Sequence, residues 1–353
     1  MEEMVDLPQP FTVLAPMQEV TDLPFWRALA QCGGGSDLYI TEYFRVHIHS
    51  TLEKHILASI LQNPTGRPII AQMIGQDVLE MRRTARQLLE HEEVAGVDIN
   101  LGCPAPVVCS KQAGGGLLRD LEQVNRLLGG LREECGGRWF TVKTRVGFAS
   151  EDEFGALLEV FSKHGIDMLS VHGRTVKERY QTPIHADVVK TAVDLLDCPV
   201  VANGNVVDVE TGRAYLAQTG AAGLMVGRGA IRNPWIFSQL QESLAGKEVK
   251  QLRRRDVLNY IEILWEETAR ARVEFRKGFD ERKHVHKMKR YLNYILAGFE
   301  DELVFQMKRS QEKGALFELL KTHLDSEELI AALPPEDSKL FCGFRELLTS
   351  SHN

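Results

Sequence analysis

The chain has 353 residues, of which 44% are hydrophobic and 26% charged, as in a globular protein with one large domain and a smaller one. No apolar run reaches the roughly 18 residues of a membrane span, and the acidic N-terminus lacks a signal-peptide pattern. Six cysteines without regular spacing argue against a disulfide framework, and a net charge of −7 argues against a uniformly basic nucleic-acid binder. We therefore expect a cytoplasmic protein with no membrane partner.

Short apolar, β-branched segments recur along the first two thirds of the chain, each followed by a segment of helical periodicity. They begin mostly about 25–30 residues apart, the length of one strand–helix unit. The predicted strands are 13–17, 38–42, 68–75, 96–102, 139–147, 168–173, 198–206 and 223–230. Eight such units predict an α/β fold, a (β/α)8 TIM barrel, over residues 1–245.

The pattern changes after the eighth unit. Segments 254–275 and 285–299 have the periodicity of amphipathic helices, with no strand between them. The sequence therefore predicts a C-terminal all-helical domain over 246–353. Its first part, 246–290, holds 14 Lys and Arg against 8 Asp and Glu, a net +6 that leaves −13 for the rest of the chain. Such a locally basic stretch can bind a polyanion along one face.

Polar side chains cluster where the predicted strands end, and the active site of a barrel lies at that rim. The cluster contains Met17, Glu42, Gln72, Asn100, Lys143, Arg145, His172, Asn203, Asn205 and Arg228. The ends of the last two strands also carry Gly204, Gly227 and Gly229, which allow backbone N–H groups to approach an anion. The loops after strands seven and eight therefore predict a phosphate site, with turn glycines as the alternative.

Two cations on one strand favour a bound anionic ring. Lys143 and Arg145 are two residues apart, so they face the same side of their strand. A buried strand rarely holds two cations without a negative partner, and a phosphorylated flavin would supply one. His172 and Gln72 could hydrogen-bond the same ring, although His172 could equally be a core histidine.

Cys103 directly follows the fourth strand and faces the predicted barrel mouth. A thiol with an ordinary pKa near 8.5 is mostly protonated at neutral pH and can act as a general acid. Cys103 and Cys109 lack CxxC spacing and have no histidine pair nearby, so no metal site is predicted. The glycines at 114–116 lack the GK[ST] of a phosphate-binding Walker loop.

These residues occur in motifs that resemble those of the tRNA-dihydrouridine synthases, in the same order along the barrel. The motifs are LAPM (14–17), TEYFRV (41–46), AQMIGQ (71–76), NLGCP (100–104), GGGLL (114–118), VKTRVG (142–147), VHGRT (171–175), ANGNV (202–206) and VGRGA (226–230). TEYFRV and the three glycines are most similar to the bacterial C-type branch. The family often has Asn where this chain has Cys109, whose role the sequence does not assign.

The resemblance implies a flavoenzyme that reduces uridine in the tRNA D-loop to dihydrouridine. NADPH would reduce tightly bound FMN, a hydride would reach C6 of a flipped-out base, and Cys103 would protonate C5. The C-type likeness points to position 16. By position, FMN would be bound by Ala15, Pro16, Met17, Gln72, Lys143, His172, Asn203, Gly204, Asn205, Gly227 and Arg228. The target nucleotide or nearby tRNA would be held by Glu42, Asn100, Arg145, Arg174 and Tyr180.

The basic run 282–290 is then expected to contact tRNA phosphates through His284, Lys287 and Lys289. The alternative for such a run is a solvated helix face. Two other functions stay open: a dihydroorotate-dehydrogenase-like FMN barrel that acts on a small molecule, and a non-catalytic RNA-binding barrel. No obligate protein partner is evident.

Overall fold

The computed structural model of the protein describes residues 7–180, 182–275 and 278–349. Residues 1–6, 181, 276–277 and 350–353 of the two predicted domains lie outside this description. The described strands are β1 (Phe11–Leu14), β2 (Leu38–Ile40), β3 (Phe44–Arg45), β4 (Ile69–Ile74), β5 (Val94–Leu101), β6 (Trp139–Arg145), β7 (Met168–His172), β8 (Val200–Asn203) and β9 (Gly223–Val226).

Eight of these strands close a parallel barrel. β1 pairs with β9 on one side and β2 on the other, β2 pairs with β4, and β4 to β9 follow in chain order. The two-residue β3 lies beside the end of β4, where Phe44 is opposite Met73, and it was not predicted. All eight predicted strand segments overlap a barrel strand, so the prediction of a (β/α)8 barrel is confirmed.

The helices alternate with the strands and then follow one another after β9. They are α1 (Leu23–Gln31), α2 (Lys54–Gln62), α3 (Val78–Leu89), α4 (Pro106–Cys109), α5 (Leu121–Cys135), α6 (Phe154–Phe161), α7 (Ala186–Leu195), α8 (Val209–Thr219), α9 (Arg228–Arg232), α10 (Ile236–Leu244), α11 (Arg254–Phe275), α12 (Glu281–Ile295), α13 (Asp301–Arg309), α14 (Lys313–Leu324) and α15 (Arg345–Thr349). The predicted boundary at residue 245 falls in the connection between α10 and α11, and the predicted helical C-terminal region is confirmed.

The period of two along each strand separates the interior of the barrel from its outer layer. Phe11, Val13 and Ala15 contribute to an apolar cluster with Ile40 and Met225. Leu14, the intervening residue of β1, belongs to the larger core that includes side chains of the surrounding helices. The barrel is therefore a packed core with its polar residues at one end, as its fold requires.

The C-terminal helices pack against the first barrel helix. Arg27 of α1 pairs with Glu267 and Glu274 of α11, at 3.6 and 3.2 Å. The Tyr291 hydroxyl of α12 donates to the carbonyl oxygen of Val20 at 3.1 Å. These contacts fix the helical region beside the barrel mouth.

Residues 331–343, which we call the C-terminal strap, connect the last helices back to the barrel rim. The guanidinium of Arg232 in α9 donates to the carbonyl oxygens of Ala331 and Leu333, at 2.8 and 3.2 Å. Beyond the strap, α15 packs against α8, and the Gln218 amide donates to the Leu347 carbonyl at 2.6 Å. No helix within the described ranges is long and apolar enough to cross a membrane.

Candidate active site at the barrel mouth

A cavity of about 650 Å³ opens at the carboxyl ends of the strands. Fourteen of the predicted site residues line it, and they come from β1, β5, β6, β7, β8, β9 and the loops that follow. They are Ala15, Pro16, Met17, Asn100, Cys103, Lys143, Arg145, His172, Tyr180, Asn203, Gly204, Asn205, Gly227 and Arg228. The structure thus brings most of the predicted site together, whereas their individual roles stay predictions.

The cations at the mouth have oxygen partners that carry no charge. The Lys143 ammonium donates to Asn203 Oδ1 at 3.2 Å. The Arg145 guanidinium donates to the carbonyl oxygens of Gly102 and Thr175, both at 2.8 Å, and Arg228 donates to a carbonyl of the strap. Within the described residues none of these three cations has an ion pair with a carboxylate. The mouth is therefore a partly buried, positively charged site suited to an anion.

Burial and the neighbouring positive charges lower the pKa values of the basic groups at the mouth. Burial, and then Arg145, lowers the pKa of Lys143 to about 8. Burial lowers the pKa of His172 well below its ordinary value, and Arg145 and Lys143 add to the effect. His172 is therefore neutral at pH 7 and offers one donor and one acceptor nitrogen.

Two glycines of the wall pack closely against neighbouring side chains, and two buried nitrogens have unused hydrogen-bonding capacity. A Cβ on Gly204, whose φ is +125°, would lie 3.0 Å from Ile184 Cγ2, and one on Gly227 would lie 3.1 Å from Met17 Sδ. Nδ1 of His172 and Nδ2 of Asn205 are buried and have no hydrogen-bond partner among the described residues. These two nitrogens fit a polar ligand in the cavity.

Asn100 shapes the loop that carries Cys103. Its Oδ1 accepts hydrogen bonds from the backbone N–H groups of Gly102 and Cys103, at 3.1 and 2.9 Å. Its Nδ2 donates to Gln72 Oε1 at 2.8 Å, and Gln72 Nε2 donates to Asp98 Oδ2 at 2.7 Å. This buried chain fixes the position of Cys103 at the cavity wall.

Cys109 lies behind the same loop. The Cys109 thiol donates to the carbonyl oxygen of Cys103 at 3.4 Å. The Arg119 guanidinium donates to the carbonyl oxygen of Cys109 at 2.9 Å. A Cβ on Gly116 would lie 2.7 Å from that carbonyl oxygen, so the glycine run packs directly against Cys109. Cys109 is not among the residues that line the cavity, and its visible contacts are those of loop packing.

Three of the residues predicted to bind FMN or the target nucleotide do not line the cavity, and the structure corrects their placement. Gln72 is fully buried, and its amide is engaged by Asp98 and Asn100, so it acts behind the wall. Glu42 is buried and accepts a hydrogen bond from the backbone N–H of Glu19; burial raises its pKa to about 8. A carboxyl group enclosed in this way does not reach tRNA.

Arg174 is the third correction. It is fully buried, and its Nε donates to the carbonyl oxygen of Thr182 at 2.6 Å. Its Nη2 donates to Asn205 Oδ1 at 3.0 Å and to the carbonyl of Cys342 at 3.3 Å. The guanidinium therefore ties the loop after β7 to the strap, while its Nη1 is buried and has no hydrogen-bond partner among the described residues.

The basic helix α12 is less available than its sequence indicates. His284 is 0% exposed and packs edge-on to Trp265 with ring centroids 4.2 Å apart, so the prediction that it contacts phosphate is wrong. Lys287 pairs with Asp22 at 2.7 Å, and Lys289 donates to the carbonyl of Lys308 at 2.8 Å. The latter two stay candidates for tRNA contact, each already held by a protein partner.

Two parts of the site were not predicted from the sequence. Asp98 is completely buried and accepts from Thr141 at 2.6 Å, and burial raises its pKa to about 6. A charged residue inside an apolar strand could have indicated it. The strap residues Lys339, Leu340 and Phe341 also line the cavity, and no motif marks them. Among the described residues no cluster of His, Cys, Asp and Glu could hold a metal ion.

Comparison with solved structures agrees with the fold. A 2-naphthoyl-CoA reductase bound to 2-naphthoyl-CoA matches with a TM-score of 0.51 at 10% identity, over 67% of this chain and 50% of that one. A morphinone reductase mutant in complex with tetrahydroNAD matches with a TM-score of 0.50 at 10% identity, over 69% and 89%. At this identity the likeness concerns the barrel alone.

Sequence relatives are more informative. A tRNA-dihydrouridine synthase B of Pseudomonas syringae pv. tomato is 32% identical over 69% of this chain and 72% of its own. A probable tRNA-dihydrouridine synthase of Staphylococcus epidermidis is 27% identical over 90% of this chain and 94% of its own. The family model of dihydrouridine synthase (Dus) matches residues 13–326. The chain belongs to the dihydrouridine synthase family, oxidoreductases that reduce uridine in tRNA.

Proposed function

We propose that this protein binds FMN in the barrel-mouth cavity, uses NADPH as the reductant, and converts a D-loop uridine of tRNA to dihydrouridine. The observation that carries the proposal is the group of cations at the mouth, whose partners are uncharged oxygens, beside the thiol-bearing loop. A phosphorylated flavin supplies the missing negative charge. The family membership supports the tRNA substrate.

The residues present fit FMN. Gly227 and Arg228 begin α9 beside Gly204, where backbone and guanidinium N–H groups would hold a phosphate. Lys143 and the neutral His172 would hydrogen-bond the ring, because both face the same cavity. When bound and reduced, FMN supplies the hydride that adds to C6 of uracil.

Cys103 would complete the reduction. Hydride addition at C6 places negative charge on the C5 and C4-carbonyl side of the base, so a proton is needed at C5. The Cys103 S–H bond breaks and a C5–H bond forms, which leaves a thiolate. Arg145 donates to the carbonyl of the adjacent Gly102 at 2.8 Å, and its positive charge interacts favourably with a thiolate at Cys103.

The target base must leave its stack to reach this cavity. Tyr180 is 43% exposed at the mouth, and its ring is 5.2 Å from the Arg145 guanidinium carbon and 5.0 Å from that of Arg228. An exposed aromatic ring beside two cations is a suitable platform for a flipped base. We propose uridine 16 as the target from the C-type motifs, and the cytoplasm as the site of action.

The function is tested by nucleoside mass spectrometry, mapped by position, of tRNA from cells with and without the gene. We expect dihydrouridine to be lost at one D-loop position when the gene is absent and restored by the protein. A purified protein that stays colourless after addition of FMN would support the non-catalytic RNA-binding alternative. Flavin-loaded protein that leaves every tRNA position unchanged would support a small-molecule substrate.

A further inference from the structure

The C-terminal strap is bound to the barrel rim by three arginines. Arg232 donates to carbonyls near its beginning, Arg228 donates to the Leu340 carbonyl, and Arg174 donates to the Cys342 carbonyl at 3.3 Å. The Cys342 thiol in turn donates to the Tyr180 carbonyl at 2.7 Å. Residues 331–343 lie beyond residue 326, where the family match ends. The strap is therefore an addition to the matched region that reaches the proposed site.

The geometry of the strap is closely defined. Gly343 has a φ of +79°, and a Cβ on it would lie 3.0 Å from the Thr182 carbonyl oxygen. Phe341 is 1% exposed and shares an apolar cluster with Val207 and Phe344. The chain thus turns where only glycine fits easily and anchors itself with two buried aromatic rings.

The strap also forms part of the cavity wall. Lys339, Leu340 and Phe341 line the cavity, and the Phe341 ring lies 5.9 Å from the Arg228 guanidinium carbon. Tyr294 of α12 packs edge-on to Phe341, with centroids 6.2 Å apart, and lines the cavity too. One wall of the proposed flavin site is therefore built by the helical region and the strap.

The type of contact matters for ligand binding. A carboxylate beside Arg228 would neutralise the guanidinium, whereas the Leu340 carbonyl orients it and leaves its full charge. Lys339 adds a second, exposed cation at the same edge of the cavity. The strap consequently fixes one cation and supplies another on the side where β9 ends.

Building on the proposed FMN function, we propose that the C-terminal strap is the outer wall of the FMN site and slows the release of the cofactor. Phe341 closes the wall against Arg228, and Lys339 attracts the phosphate. The alternative, a strap that blocks the site, makes the opposite prediction for the same variants.

The test compares two buried phenylalanines of one cluster. Phe341→Ala removes a ring that lines the cavity, whereas Phe344→Ala, the matched control, removes a ring of the same cluster that does not. FMN dissociation from the full-length holoprotein is followed by the recovery of free-flavin fluorescence. We expect about tenfold faster release for Phe341→Ala, a loss typical of a buried aromatic contact, and a smaller change for Phe344→Ala.

Lys339→Ala keeps the test informative if Phe341→Ala does not fold. This variant changes only an exposed side chain, and we expect about threefold faster FMN release with a reduced dependence on salt. Equal FMN release rates for Lys339→Ala, Phe341→Ala and wild type would overturn the proposal that the strap is a wall of the FMN site. Slower release or tighter FMN binding in the variants would support the alternative, a strap that blocks the site. If the wild-type protein binds no FMN at all, the proposed function itself fails.

Discussion

Two cations of α12 have a different kind of partner from the cations of the barrel mouth. At the mouth, Lys143, Arg145 and Arg228 donate to amide and carbonyl oxygens, which carry no net charge. On α12, Lys287 and Arg290 pair with the carboxylates of Asp22 and Glu19. The sequence alone would favour α12 as the site for an anion, because basic residues are frequent around α12 and few at the strand ends.

The density of basic residues along a sequence therefore does not measure the charge available to a ligand. A cation paired with a carboxylate contributes little field at a distance, whereas one oriented by a carbonyl retains its charge. The mouth, in an acidic chain of net charge −7, is therefore the stronger candidate for binding an anion.

The largest effect is expected at the thiol beside the cation group. Cys103→Ala should retain bound flavin and NADPH oxidation but lose dihydrouridine formation by about 100- to 10,000-fold, the usual contribution of a general acid. Product is measured by nucleoside mass spectrometry, with flavin content from absorbance. Cys109→Ala is the matched control, because its thiol hydrogen-bonds to the loop backbone and does not line the cavity. Full activity in Cys103→Ala would refute the acid role.

The second effect concerns the charge of Lys143. Its pKa is lowered to about 8 in the ligand-free protein, so it is mostly charged at pH 7 and mostly neutral at pH 9. Binding an anion favours the charged form, so the affinity of the apoprotein for FMN should fall as the pH rises through 8. Lys143→Met should weaken binding at pH 7 by about tenfold and flatten this dependence.

Titration of apoprotein with FMN by fluorescence, from pH 7 to 9, measures this effect. Lys287→Met is the control, because it removes a lysine that is already paired with Asp22. Equal pH profiles for wild type and Lys143→Met would show that Lys143 does not supply the charge.

The barrel could be predicted because its information is local. Each strand is a short apolar run, and each unit repeats at nearly constant spacing. The position of His284 was also readable, because it shares a 3.6-residue period with the buried Met288, Tyr291 and Ile295. The basic residues around it obscured that period.

Other parts of the site had no local pattern. Arg228 and Arg174 contact backbone carbonyls of residues 340 and 342, and any residue type can supply a carbonyl. Gln72 lies inside β4, and only the pairing with the neighbouring strand shows that Asp98 and Asn100 occupy its amide. Pairings across the barrel decide such cases, and one sequence does not display them.

The third effect tests the chain behind the cavity wall. Gln72→Leu should leave Asn100 Nδ2 without its acceptor and loosen the loop that carries Cys103. We expect dihydrouridine formation to fall by about tenfold, the cost of one buried hydrogen bond, while FMN affinity changes little. Loss of flavin in this variant would instead support the original assignment of Gln72 to the cofactor.

The smallest effect on activity is expected from substitutions of the basic residues on α12. Arg282 is exposed near the start of the helix, whereas Lys287 is held by Asp22. Arg282→Ala should weaken tRNA binding about two- to threefold and reduce the slope of log K against log salt by about 0.7–0.9, as for one lost phosphate contact. Lys287→Ala should mainly lower the free energy of unfolding by about 1 kcal/mol, because it removes the ion pair with Asp22. Filter binding at several salt concentrations and thermal unfolding separate the two outcomes. A larger loss of tRNA affinity in Lys287→Ala than in Arg282→Ala would mean that the Lys287–Asp22 ion pair breaks when tRNA binds. Ion pairing in the free protein would then not decide which cations of α12 are available to tRNA.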